Sequence, residues 1–159
     1  MSKKVIHLNV FKQSNDMKKY KSIEEEIIDN NILNEPHPLY HIQMSEVGMP
    51  FERVKKIQDR LHFTNKEVSG MLHISETTYQ RLQKNSTKLD TDASERTIEL
   101  TELIKIGNDV FGSIDSFRDW LYESNFAMGN KKPIELLSSS IGSRYVRTIL
   151  HRIAWGIYS

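Results

Sequence analysis

The fold is decided by the last third of the chain, residues 113–159, which read SIDSFRDWLYESNFAMGNKKPIELLSSSIGSRYVRTILHRIAWGIYS. Phe117, Trp120 and Leu121 lie at positions i, i+3 and i+4, a spacing that predicts an amphipathic helix. A serine and an aspartate before them are suitable helix caps. We expect this helix to end at Asn125.

A loop and two further helical segments follow. Residues 125–133 contain Gly and Asn, which tolerate positive φ, and end in Pro133, which suits the first turn of a helix. A short apolar turn is then stopped by serines and Gly142. The last helix is predicted over about residues 143–156, and its narrow apolar face has a helical period. That face consists of Val146, Ile149, Leu150, Ile153 and Ile157.

The order and spacing of these signals resemble the toxin-binding domain of the antitoxin Xre/MbcA/ParS family. The chain departs from the family pattern at Asn130, where a second glycine is usual, and at Met128, where leucine is usual. Both changes are mild, because asparagine accepts the left-handed conformation and methionine conserves the volume of leucine. The matching parts, all within residues 92–159, are Trp120-Leu121, residues 125–129, residues 133–137, Gly142 and residues 152–158.

The resemblance implies a function. Members of this family are antitoxins of type II toxin–antitoxin operons, and they commonly partner RES-domain toxins that degrade NAD. They neutralise the toxin by covering its active site, and the complex represses its own promoter. On this resemblance and on the polar and aromatic residues of the last helix, the expected toxin-binding residues are Asn125, Gly129, Arg144, Arg147, His151, Arg152, Trp155, Ile157, Tyr158 and Ser159.

Composition limits the other interpretations. The chain has 159 residues, 38% of them hydrophobic, which is enough for one good core or two small ones. It contains no cysteine, so disulfides, thiolate metal sites and cysteine nucleophiles are excluded together. There is no signal-peptide pattern and no run of eighteen apolar residues, so we expect a cytoplasmic protein without a membrane partner.

The charge is unevenly distributed along the chain. Residues 51–88 carry eight basic and four acidic residues, a balance of +4, whereas residues 1–50 balance at −1 and residues 89–159 at −2. A basic module between neutral and acidic segments suggests a contact with nucleic acid, although a solvated surface would give the same balance.

Residues 1–48 are expected to form a partly disordered arm with one short helix over about residues 22–33. His37, His41 and Glu35 could be imagined as metal ligands, but they lie in a linker bracketed by prolines and lack a supporting cluster. We therefore expect no metal site and no cofactor.

Residues 49–88 predict a helix-turn-helix domain. Thr64 and Glu67 form a capping box, and Ser75 is the cap of a second helix that begins after only a brief turn. His73 replaces the glycine that is usual in this turn, which should cost some stability if its φ is positive. The outward residues of the second helix are types that contact base edges and phosphates, although the same pattern fits an ordinary surface helix. The expected DNA-binding residues are Lys66, Ser75, Thr77, Thr78, Gln80, Arg81 and Lys84.

A long helix is predicted over about residues 93–111, at the start of the expected toxin-binding domain, residues 89–159. Ile98 and Ile106 fall outside its core stripe, so they are either incidental or part of a homodimer contact. Trp155 lies on the polar side of the last helix. It either folds back onto its own domain, if the last turn frays, or belongs to the toxin-binding surface.

No Gly-rich phosphate loop, paired carboxylates or metal-ligand spacing occurs, and His151 lacks a nucleophile nearby in sequence, so we expect no enzymatic activity. The sequence favours an antitoxin that binds both a toxin and operator DNA, within a larger complex. Two alternatives stay open: a stand-alone transcriptional regulator whose C-terminal domain only dimerises, and a partner-binding module that no longer contacts DNA.

Overall fold

The computed structural model describes residue 42 and residues 45–157. The helix expected over residues 22–33 and the histidines of the proline-bracketed linker lie outside the described residues, as do Tyr158 and Ser159. All regular elements among the described residues are helices, which confirms the all-α prediction.

Three helices form the predicted helix-turn-helix unit. They are α1 (Phe51–Leu61), α2 (Asn65–Met71) and α3 (Glu76–Asn85). Thr64 caps α2 in a complete capping box, and the Ser75 hydroxyl accepts from the backbone N–H of Thr78 at the start of α3. Because these caps are local, the sequence could predict both helix starts.

The turn between α2 and α3 contains a strained residue. His73 has φ of 57°, in the left-handed region that glycine usually occupies. Its backbone N–H donates to the Gly70 carbonyl, and the Ile74 N–H donates to the Ser69 carbonyl. These bonds hold the turn in its left-handed conformation, so the condition under which His73 should cost some stability is met.

A buried polar chain links the three helices. The Tyr79 hydroxyl of α3 donates to the Gln58 side chain of α1, whose amide donates in turn to Asn65 Oδ1 of α2 at 2.8 Å. The Tyr79 ring meets Phe51 edge-on at 5.2 Å between centroids. Burial, with a smaller contribution from Asp59, raises the pKa of Tyr79 to about 12. The outward face of α3 is therefore fixed relative to α1 and α2.

The long helix α4 (Thr91–Phe111) begins at an Asp90 cap and ends at Gly112, whose φ is 75°. Its core stripe was predicted, but Ile98 and Ile106, which were expected to fall outside that stripe, are not exposed. Both are half-buried against the core, because neighbouring helices cover more than one side of α4.

The remaining elements are α5 (Ile114–Tyr122), a 3-10 turn (Phe126–Met128), α6 (Pro133–Leu136) and α7 (Ser140–Ala154). The helix expected to reach Asn125 stops earlier because the chain becomes extended at Glu123, with ψ of 144°. Gly129 and Asn130 are both left-handed, with φ of 67° and 60°, so asparagine does replace a loop glycine.

The last helix begins earlier than the predicted residue 143. Ser139 is its cap and accepts from the Gly142 backbone N–H at 3.0 Å, which places Gly142 inside the first turn. The glycine is needed there because an added Cβ atom would lie only 2.0 Å from the Leu136 carbonyl oxygen.

Helix α5 attaches to the turn between α1 and α2 through three side chains. Arg118 Nε donates to the Leu61 carbonyl at 3.0 Å, and Arg60 pairs with Asp115 at 3.1 Å. The Tyr122 hydroxyl lies 3.1 Å from both carboxylate oxygens of Glu67. Glu67 is also the capping-box residue of α2, so this contact fixes α5 to the helix-turn-helix unit. Among the described residues, no helix has the length and apolar character needed to cross a bilayer.

Candidate functional site

The outward face of α3 is polar and basic. Tyr79 is buried and Leu82 half-buried, so they turn the opposite side of the helix to solvent. Of the residues expected to contact DNA, Thr78 is half-buried and the others are exposed: Lys66, Ser75, Thr77, Gln80, Arg81 and Lys84.

The charged residues of this face are available for a ligand. Within the described part of the chain, Lys66, Arg81 and Lys84 form no ion pair. Ser75 and Thr78 differ, because their hydroxyls hydrogen-bond each other at 2.9 Å and form the start of α3. The face can therefore offer three positive charges and the Gln80 amide to a nucleic acid.

The second candidate surface is the side of α7 that faces away from the core. Val146, Ile149 and Leu150 are buried, as the apolar period predicted. Arg144, His151, Arg152 and Trp155 are exposed on the other side of the helix. Four of the ten expected toxin-binding residues therefore lie together on one side of α7.

The end of α7 is closed by a Schellman motif, not frayed. The Gly156 N–H donates to the Ile153 carbonyl at 3.0 Å, and the Ile157 N–H donates to the Arg152 carbonyl at 2.9 Å. Gly156 has φ of 66°, the left-handed conformation that this motif needs. Trp155 is 78% exposed, so it does not fold back onto its own domain. Ile157 is 59% exposed beyond the helix end, so its assignment to the core face was wrong.

Arg147 differs from Arg144 and Arg152 because its side chain is already paired within the protein. It pairs with Glu102 of α4 at 3.1 Å and also donates to the Glu99 carbonyl at 3.4 Å. A crevice of about 360 Å³ opens beside this pair between α4 and α7. Arg96 and Glu99, which form an ion pair at 3.0 Å, line the same crevice. Its wall therefore carries both positive and negative side chains.

The loop before α6 is held by its own backbone. The Asn125 side chain accepts from the Ala127 N–H at 2.9 Å, and the Asn125 carbonyl accepts from the Asn130 N–H at 3.0 Å. Gly129 is exposed at the left-handed turn. The Tyr145 hydroxyl of α7 donates to the Ala127 carbonyl, which fixes the loop beside the exposed side of α7.

Three exposed apolar side chains near this loop were missed by the sequence analysis. They are Phe126, Ile141 and Tyr145, which are 87%, 75% and 41% exposed. Ile141 was not predicted to lie on the last helix, because that helix was expected to begin at about residue 143. Once α7 starts at Ser140, Ile141 and Tyr145 share one side of the helix at a spacing of four. Across the described ranges, no three metal-ligating side chains come close enough together to hold a metal ion.

Comparisons with known proteins match both halves of the chain. Residues 41–101 match the family model of the antitoxin Xre-like helix-turn-helix domain, and residues 107–156 match that of the antitoxin Xre/MbcA/ParS C-terminal toxin-binding domain. The chain is 26% identical to the Prs ADP-ribosylating antitoxin of Sphingobium sp. (strain YBL2) over 131 residues, 77% of this chain and 82% of that protein.

The fold also occurs in a solved structure. A chain of the M. tuberculosis MbcT-MbcA toxin-antitoxin complex matches with a TM-score of 0.50 and 19% sequence identity, over 68% of this chain and 96% of that chain.

Proposed function

Because the chain belongs to the Xre/MbcA/ParS family of antitoxins, we propose that it neutralises its cognate toxin through α7 and its C-terminal tail, and represses its own operon through α3. The observation that supports toxin binding by α7 is the position of Trp155. Hydrogen bonds of the helix cap fix its backbone, yet its side chain stays exposed. Tryptophan and arginine are enriched among residues that dominate binding energy at interfaces, and Arg152 lies beside this tryptophan.

The chemistry of the toxin is part of the proposal. The name of the Sphingobium relative associates an antitoxin with ADP-ribosylation. ADP-ribosyl transfer and NAD degradation begin with cleavage of the same nicotinamide–ribose bond, so either toxin would have an NAD pocket. We propose a RES-domain, NAD-degrading toxin whose active site the tail covers. An aromatic ring can stack where a base would lie, and a guanidinium can pair with acidic groups of such a pocket.

The DNA-binding part rests on the outward face of α3. Thr77, Gln80 and Arg81 would contact base edges, while Lys66 and Lys84 would contact phosphates. Helix-turn-helix proteins commonly bind two half-sites as dimers, so the proposal includes a homodimer within the toxin–antitoxin complex. Operator binding requires the cell's DNA, and neutralisation requires a toxin made in the same cell. The proposal therefore includes a cytoplasmic location. The role proposed is binding, not catalysis.

Co-expression with the adjacent gene tests the toxin-binding part. We expect growth protection and a co-purified complex with the wild-type chain. Trp155→Ala, or deletion of residues 157–159, should weaken toxin binding by about 2 kcal/mol or more, roughly 30-fold in Kd. Circular dichroism should show the same helix content in each variant.

Lys84→Ala is the control, because Lys84 is also exposed but lies on α3, the helix proposed to contact DNA. It should leave neutralisation intact and weaken operator binding. If the truncated chain protects cells and binds the toxin as tightly as wild type, the tail is not the neutralising surface. If the wild-type chain does not bind the adjacent gene product at all, the antitoxin–toxin pairing itself is wrong.

A further inference from the structure

We propose that α7 docks lengthwise into an apolar groove with an acidic rim on the toxin, so that the contact extends from Trp155 back to Ile141 and Phe126. This inference rests on the proposed function and adds the shape and charge of the surface that the toxin must present.

The first observation is a line of side chains along α7. Residues 141, 145, 148, 152 and 155 are spaced by four, three, four and three, which places them in one stripe along a helix. The stripe runs about 21 Å, from fourteen rises of about 1.5 Å. Isolated exposed apolar residues are common on protein surfaces. Three of them in one stripe, namely Ile141, Tyr145 and Trp155, indicate a helix that packs into a groove.

The second observation extends the stripe beyond the helix. The hydrogen bond from Tyr145 to the Ala127 carbonyl holds the 3-10 turn beside the first half of α7. In that turn the Phe126 carbonyl accepts from the Gly129 N–H at 3.0 Å, so the backbone is fixed while the ring remains in solvent. Because its backbone is already ordered, Phe126 would lose only side-chain entropy on binding. It would add a second apolar anchor at the far end of the groove.

The third observation is the charge beside the stripe. Helix α7 contains no acidic residue. Arg152 lies within the stripe, and Arg144 and His151 lie along its flank. The acidic residues Glu99 and Glu102 of α4, which line the crevice beside Arg144, are already paired with Arg96 and Arg147. The exposed side of α7 is therefore positive, and it would be matched by acidic residues on the partner.

The same charge argues against two other occupants. A second copy of α7 would place arginines against arginines, which is unfavourable. Duplex DNA would satisfy the arginines but would leave Ile141, Phe126 and Trp155 without apolar contacts, because its bases are already stacked on each other. A toxin groove with an apolar floor and an acidic rim satisfies both features.

Binding of the full-length chain to the purified product of the adjacent gene tests the apolar part. Ile141→Asp places a negative charge in the first turn of α7, where it favours the helix, so weaker binding would not reflect a weaker fold. We expect about a tenfold or larger increase in Kd, both for this variant and for Phe126→Ser in the 3-10 turn.

Charge reversal tests the rim. Arg144→Glu/Arg152→Glu should slow association by about tenfold or more and reduce its dependence on salt, since both arginines would attract the acidic rim. The matched control is Lys66→Glu/Lys84→Glu, which reverses two exposed charges on the helix-turn-helix unit. The control should bind the toxin as wild type does.

Three outcomes would overturn the inference. If the Ile141, Phe126 and double-arginine variants all bind as wild type while Trp155→Ala does not, contact is confined to the tail, and the proposed function still stands. If Ile141→Asp converts a dimer of this chain to a monomer without changing toxin affinity, the occupant is a second copy. If the arginine variant loses operator affinity but not toxin affinity, the occupant is nucleic acid.

Discussion

Gly142 offers a sharp test of how α7 is positioned. The perturbation is Gly142→Ala, which adds one Cβ atom in the first turn of the helix. That atom would lie 2.0 Å from the Leu136 carbonyl oxygen and 2.8 Å from its carbon. Both are backbone atoms, so no rotamer change relieves the clash, and α6 and α7 have to separate.

The magnitude follows from two opposing effects. Alanine is favoured over glycine in a helix interior by about 1 kcal/mol, less in the first turn. Overpacking of a close contact costs about 1–3 kcal/mol, and here the backbone must move, which favours the upper end. We expect a net loss of about 1–2 kcal/mol, or roughly 2–8 °C in Tm for a chain of this length.

The control is Gly70→Ala in α2. Its Cβ atom would meet only the Ser138 Cβ, at 3.5 Å, an ordinary contact. This variant should therefore be as stable as wild type or more stable, by up to about 1 kcal/mol. Thermal and urea unfolding of the two variants make the comparison. Equal stability of Gly142→Ala and Gly70→Ala would refute the packing argument for the start of α7.

The other predictions concern α3, the buried Tyr79 and the half-buried Tyr122. Arg81→Ala should cost roughly 1–3 kcal/mol of operator binding and leave toxin binding unchanged; unchanged operator affinity and salt dependence would remove α3 from the DNA contact. Burial raises the pKa of Tyr79 and Tyr122 to about 12 from 10.0, so both hydroxyls hold their protons more tightly in the folded chain. The free energy of unfolding should therefore fall between about pH 10 and pH 12, and Tyr79→Phe/Tyr122→Phe should flatten this slope. An equal slope in the variant would contradict the tyrosine assignment. Tyr79→Phe alone should also destabilise the fold, by about 1–3 kcal/mol, because Gln58 loses a buried partner.

Local chemistry explains which elements could be predicted from the sequence. Thr64 and Ser75 begin α2 and α3 through side chains that bond within three residues, so their geometry is encoded in adjacent positions. The short turn between the two helices was predictable from their caps, but the left-handed conformation of His73 was only a condition of the sequence argument. The family resemblance of residues 113–159 depends on the same kind of short spacing.

Contacts between distant parts of the chain explain what the sequence could not show. Gly142 was taken as a helix stop because its packing on Leu136 depends on how α6 and α7 cross. Arg147 was grouped with the arginines expected to bind the toxin because its partner, Glu102, lies 45 residues earlier and cannot be paired with it from the sequence. The Phe126, Ile141 and Tyr145 patch followed only from the true start of α7. The division between residues 88 and 89, and the individual DNA and toxin contacts, stay predictions.

The long helix α4 limits how this protein could be recombined with its relatives. The two family matches end at residue 101 and begin at residue 107, both inside α4, which is continuous from Thr91 to Phe111. Gly107 in this interval packs so closely on Phe117 that an added Cβ atom would lie 2.3 Å from the ring. A hybrid antitoxin that exchanges the helix-turn-helix half must therefore be joined within a helix, with the register of α4 and the Glu67–Tyr122 contact preserved. Two halves taken from different relatives would therefore have to reproduce these contacts with each other. A flexible linker between them would not be enough.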